Sequence, residues 1–278
     1  MNPLSWWRWW RALLQNPVYQ RERGGWGKPN QFYDNLSRFS PFVVLGAIVF
    51  GLCAGGSNPA LFAGNDALIA FYCFLCLPGI LLNGVTMFGM LMAPALTAPT
   101  ISMELNRGTW DILRATPLTT RSIVMAKLFG ALRRLRIWPV LFALSLLQGL
   151  MLTCSLIFAG TPENSGLADA SYYAIWGPAV GISAVLRPFL EILFAGMTGM
   201  YISTRLHSST TALAGSYAAV VLMRVFNSSL VWIAVSKLLN FGGINFVNSS
   251  VGPTVVYALA VVGIMLGLIR QADKLSQS

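Results

Sequence analysis

Long apolar runs separated by short polar stretches are the dominant pattern along this chain. Runs of the roughly 20 residues that cross bilayer hydrocarbon occur near 39–57, 67–93, 137–159, 176–202, 211–235 and 251–269, and they predict six transmembrane helices. The first run is the shortest. The second is overlong and carries Pro78-Gly79, Pro94 and Pro99. An interior proline removes a ladder hydrogen bond and crowds the preceding turn, so a kinked helix that leaves the membrane before "ISMELNRG" is expected there.

Composition agrees with the pattern. Of 278 residues, 55% are hydrophobic and 10% charged, with a mean hydropathy of +0.64, against about 25% charged in soluble domains. The fold class expected is an all-α integral membrane protein. Its net charge of +10 would suit nucleic acid, but the positions of the charges argue otherwise. Arg8, Arg11, Arg21, Arg23, Lys28 and Arg38 precede the first run, and Arg107, Arg114, Arg121, Lys127, Arg133, Arg134 and Arg136 separate the second from the third. Connections 58–66 and 160–175 carry Asp66, Glu163 and Asp169 and no Lys or Arg. By the positive-inside rule the basic stretches are cytoplasmic. Six crossings then leave both termini inside, as Arg270 and Lys274 also suggest, and no nucleic-acid partner is needed. The expected organisation is a cytoplasmic or interfacial segment 1–38, a transmembrane domain 39–270 and a cytoplasmic tail 271–278 of a multi-pass protein of the cell membrane.

At the N-terminus, "WWRWWRALLQ" puts Trp6, Trp10, Leu13 and Leu14 broadly on one side of a helix and Arg8, Arg11 and Gln15 on the other. This predicts an amphipathic helix lying in the membrane interface, with Trp6, Trp7, Trp9 and Trp10 as anchors at headgroup level and lipid as the partner. The segment has no continuous apolar core and no cleavage site, so it is expected to be retained.

The stretch 104–120, "ELNRGTWDILRATPLTT", interrupts the apolar pattern. Thr109 reads as an N-cap, Asp111 complements the helix dipole and Pro117 follows the end, which predicts a short helix at about 109–116. Thr119 or Thr120 then caps a new helix that leads through Lys127 into the third span. Trp110, Ile112, Leu113 and Leu118 are too apolar for a solvated linker, so a partner surface or the membrane interface is expected to cover them.

This segment resembles the cytoplasmic segment of ABC-2 type permeases, the membrane subunits of ATP-binding cassette transporters, at Glu104, Gly108, Thr109, Trp110, Asp111, Leu113, Thr116, Pro117, Leu118 and Lys127. "NPVYQRER" is similar to the Asn-Pro and Arg-Glu that often precede the first span of such permeases, here Asn16, Pro17, Arg21 and Glu22. The resemblance implies that the short helix is a coupling helix docking into a separate ATPase subunit. Trp110, Ile112 and Leu113 would be its apolar anchors and Arg107, Asp111 and Arg114 its rim, with Glu104, Gly108, Thr109 and Pro117 completing the motif. It further implies a second permease copy and transport by alternating access. The alternative is a permease-like structural or assembly subunit of a larger membrane complex, without transport activity.

Other motifs carry less. The sequence holds no G-x-x-x-x-G-K-[ST] phosphate loop, and "GGWGKP" at 24–29 has the wrong spacing, so the chain is expected not to be an enzyme and to need no cofactor of its own; ATP and magnesium would sit on the partner. Cys73 and Cys76 form a C-x-x-C inside an apolar run, where packing is the expected role, as it is for Cys53 and Cys154. His207 is the one histidine, so no metal site is expected. Gly51/Gly55, Gly177/Gly181 and Gly263/Gly267 have spacing that lets helices approach closely. Arg187 and Glu191 fall in the fourth run and Arg224 in the fifth. Equal depth predicts a Glu191–Arg224 pair with Arg187 one turn away, either a salt bridge that fixes the packing of two helices or a substrate-contacting or proton-handling group.

Overall fold

A computed structural model describes residues 8, 11–25, 67–159, 167–206, 208–228, 231–232, 234 and 245–277. Among them the chain is all-helical: α1 (Pro17–Gln20, continued by a wider π-type turn, Arg21–Gly25), α2 (Ala67–Asn106), α3 (Thr109–Arg114), α4 (Thr120–Arg133), α5 (Trp138–Ala159), α6 (Leu167–Ser203), α7 (Ser209–Phe226) and α8 (Asn245–Gln277). Five stretches are long and apolar enough to cross a membrane: Pro78–Asn106, Trp138–Ile157, Ile175–Ser203, Ser209–Phe226 and Ser250–Gln271. Their outward positions include Phe142, Leu150, Ile182, Leu222, Leu259 and Val262, all exposed, as a multi-pass membrane protein surrounded by lipid requires. The predicted span 39–57, the tryptophans at 6, 7, 9 and 10, and His207 lie outside the described residues.

The bundle is built around α6. Its span is 56% buried, against 17–33% for the other four, and it packs along α2, α5, α7 and α8. Glycine permits a close crossing of α5 and α6: a methyl group added at Gly181 would meet the Thr153 hydroxyl and lie 2.8 Å from the Gly149 carbonyl oxygen. Gly177 also faces α5, whereas space around Gly263 is open.

Several boundaries differ from the sequence reading, each for a local reason. α2 runs unbroken through Pro78, Pro94 and Pro99 to Asn106, beyond the apolar run that ends near 93. Side-chain hydroxyls add bonds to its carbonyls: Thr97 donates to the Ala93 carbonyl at 2.9 Å, Ser102 to Ala98 at 3.1 Å, and Tyr217 of α7 to Leu91 at 2.8 Å. The third span does not continue α4, because Arg136 takes φ 50° and breaks the helix. At this break the Leu132 carbonyl accepts from the Leu135 N–H at 3.2 Å and from the Trp138 indole at 2.9 Å. α7 stops at Phe226, not 235, because Asn227 turns inward, donates to the Pro253 carbonyl at 2.8 Å and accepts from the Trp232 indole at 2.8 Å. α6 begins at Leu167, ahead of the predicted 176. At the N-terminus residues 11–15 are helical, and Leu13 is buried while its neighbour Leu14 is exposed.

Candidate functional site

Two groups of polar residues converge in the fold. The first lies at the α3 end of the bundle. Asn16 is 5% exposed; its side-chain oxygen accepts from the Val18 N–H at 2.9 Å and so caps α1, with Pro17 at the first helical position where no N–H is needed. Its amide donates across to the Ser122 hydroxyl at 3.0 Å. That pins α1 to α4, and the approach is close enough that a methyl group at Gly130 would strike the Glu22 Cβ at 2.7 Å and the Tyr19 carbonyl at 3.1 Å.

The pinning carries Arg21 and Glu22 onto Lys127. Lys127 has no solvent exposure, and its Nζ lies 2.7 Å from Glu104 Oε1 and 3.4 Å from Glu22 Oε1. Arg21 Nη2 reaches the same two oxygens at 2.7 and 3.0 Å, and Arg134 lies 3.9 Å from the far oxygen of Glu22. Burial works against ionisation of Glu22, but the Lys127 ammonium, the Arg21 hydrogen bond and the Arg134 charge outweigh it and hold the carboxyl below its ordinary 4.5. Burial likewise opposes the Arg21 charge, yet the bonds to Glu22 and Glu104 hold the guanidinium above its ordinary value.

The Glu22 shift has a signed consequence. Because its folded value lies below the unfolded one, its contribution to stability is complete above the ordinary 4.5 and is lost as pH falls through the folded value. The melting temperature of wild type should therefore exceed that of Glu22→Gln near about pH 6, and the gap should narrow toward about pH 3. A gap independent of pH would show that the carboxylate charge is not what holds α1.

α3 sits beside this cluster. Gly108, at φ 65°, ends α2 in the left-handed conformation that suits glycine. Thr109 does not cap α3 as expected. Its hydroxyl donates back to the Glu104 carbonyl at 3.4 Å, because the Gly108 N–H has gone to Leu105. Thr119, in contrast, caps α4 by accepting from the Ser122 N–H at 3.3 Å. α3 closes after six residues at Arg114, about 9 Å of helix. Trp110 is 3% exposed and Ile112 71%. Residues two apart on a helix differ in direction by about 200°, so one face must turn inward. Trp110 and the half-buried Leu113 are thus roots of α3 in its own chain, and Glu104 is likewise engaged inside. The outer surface there consists of Ile112 with Arg107, Gly108 and Pro117. The side chains of Asp111 and Arg114 lie outside the described residues.

The second group lies about midway along the Ile175–Ser203 span. Glu191 accepts from Arg187 Nε at 2.8 Å through Oε1 and from Arg224 Nη1 at 3.4 Å through Oε2, so the pair expected from depth is in place. Arg224 also donates to Asn83 at 2.7 Å and lies 3.0 Å from the Met90 sulfur. These groups line a cavity of about 540 Å³ that also takes in Thr86, Gln148, Ser183, Ser228 and Ser250. None of those polar residues was singled out from sequence; Asn83 and Gln148, as amides inside apolar runs, were the visible signal. Among the described residues no group of His, Cys, Asp and Glu can hold a metal ion.

No family model, curated protein or solved structure matches this chain.

Proposed function

We propose that the chain is the membrane-spanning permease subunit of an ABC-2 type transporter, moving its substrate by alternating access with energy from a separate ATPase subunit. One observation carries the reading. The residues of two distant permease-like motifs, Arg21 and Glu22 in one and Glu104 and Lys127 in the other, form a single charged cluster at the root of α3, beside the bond from Asn16 to Ser122 that pins α1 to α4. α3 packs on α2, and Glu104 ties that end of α2 to Arg21 and to Lys127 of α4; a short helix on so braced a root is stiff enough to pass a push from a docked protein into the bundle, which two isolated charged loops could not do. α3 presents Ile112 outward as the apolar contact, with Arg107 and Pro117 around it. On this reading α3 and both chain termini are cytoplasmic, in the cell membrane, and the working assembly holds two permease and two ATPase copies.

Ile112 provides the test because it is exposed and its replacement disturbs no internal packing. Ile112→Arg should leave expression and melting temperature unchanged while reducing at least tenfold the phosphate-loop ATPase recovered with the tagged chain from native membranes, as loss of a central interface anchor does. Recovery of no such ATPase with wild type, or undiminished recovery with the variant, would refute docking at α3.

A further inference from the structure

The cavity at Glu191 is more than a salt bridge needs. A pair that merely fixed two helices would match one cation to one carboxylate and close over it. Here two guanidiniums face one carboxylate, leaving a surplus positive charge in the middle of an apolar span, where uncompensated charge is costly. Neither arginine is sealed: the side chains of Arg187 and Arg224 remain 29% and 33% exposed while that of Glu191 is 7% exposed. Among the described residues Arg187 commits only Nε to Glu191, so its two terminal nitrogens are available to an acceptor. Gln148 brings a buried carbonyl oxygen with no partner, on an amide that offers two donors once turned. Leu82, Leu152, Val180 and Pro188 make up the apolar part of the wall. A volume of about 540 Å³ is within the range of small-molecule sites.

We propose that this cavity binds an amphiphile with an oxyanion head, a carboxylate or phosphate carried on an apolar body. Arg187 receives the head and Arg224 holds Glu191 and Asn83 in place beside it. Glu191 keeps the site at one surplus positive charge, which favours a singly charged head over a dianion, and the apolar wall takes the first carbons of the tail. A cation is disfavoured by the surplus charge, and a neutral amphiphile leaves it unanswered.

The test uses the full chain in nanodiscs of zwitterionic phosphatidylcholine, with no ATPase present, so that its failure leaves docking at α3 untouched and the reverse also holds. An 11-carbon carboxylate bearing a dansyl group should bind at least tenfold more tightly than its uncharged primary amide. Displacement by palmitate would identify a free fatty acid as the natural source of the head, and displacement by short-chain phosphatidylglycerol a lipid phosphate; either supports the site. Arg187→Gln removes the surplus charge yet leaves Glu191 paired with Arg224, and it should abolish the preference for the carboxylate. Ala184→Leu keeps every charge, narrows the cavity and should weaken both probes. Equal binding of the charged and uncharged probes to wild type would overturn the proposal, as would an Arg187→Gln protein with unchanged melting temperature and unchanged carboxylate affinity.

Discussion

Replacing Lys127 with methionine should destabilise the protein by about 3–5 kcal/mol, the cost of breaking a buried ion pair from one side. Methionine keeps most of the volume at this buried position of α4; what disappears is the charge. Glu22 and Glu104 would then share Arg21, which is 44% exposed, and Arg134, whose distance of 3.9 Å to Glu22 gives much less. One Glu104 oxygen is already buried without a hydrogen bond, so that carboxylate has no spare partner to fall back on. The double change Lys127→Met with Glu104→Leu should recover a substantial part of the loss, because it removes both halves of the pair and leaves no orphaned charge. Chemical unfolding in detergent measures both. A loss below about 1 kcal/mol for Lys127→Met, the size of a surface pair, would contradict burial of the ammonium as a charge.

That cluster also marks how far sequence alone could reach. Five spanning helices were legible because a chain keeps so long a run of apolar residues chiefly where lipid surrounds it, and the two motifs containing Glu22 and Glu104 were legible as motifs. Their meeting was not. It depends on Asn16 finding Ser122 and on Gly130 allowing the close approach of α1, two contacts between segments far apart in the chain that no periodicity encodes. The helix ends failed for a related reason. The fifth apolar run reaches 235, yet α7 ends at Phe226 because Asn227 turns to the Pro253 carbonyl of another helix. The inward turn of Trp110 is likewise tertiary, since an aromatic residue on a short helix is equally suited to anchor it at home or to a partner. Depth, by contrast, is nearly additive along a helix, and counting residues was enough to pair Glu191 with Arg224.

Glu191→Gln should lower the melting temperature and at the same time tighten binding of the dansyl carboxylate. Glutamine keeps the shape and a carbonyl oxygen for Arg187 or Arg224, but it removes the negative charge that answers them. Two guanidiniums then stand unbalanced in the middle of the span, and translocon-insertion scales, which include relaxation and water entry, put such a charge at about 2.5–3.5 kcal/mol at a helix centre. A cavity of about 540 Å³ admits water, so the measured loss should not exceed that range. The same unbalanced charge attracts an oxyanion more strongly, and the charge-assisted hydrogen bonds it makes are the strong ones. Arg187→Gln shifts binding in the opposite direction. Opposite signs from two substitutions of similar size, on adjacent turns of one helix, separate a ligand site from a packing device: a salt bridge that only holds α6 to α7 would lose stability in Glu191→Gln and leave carboxylate binding where it was.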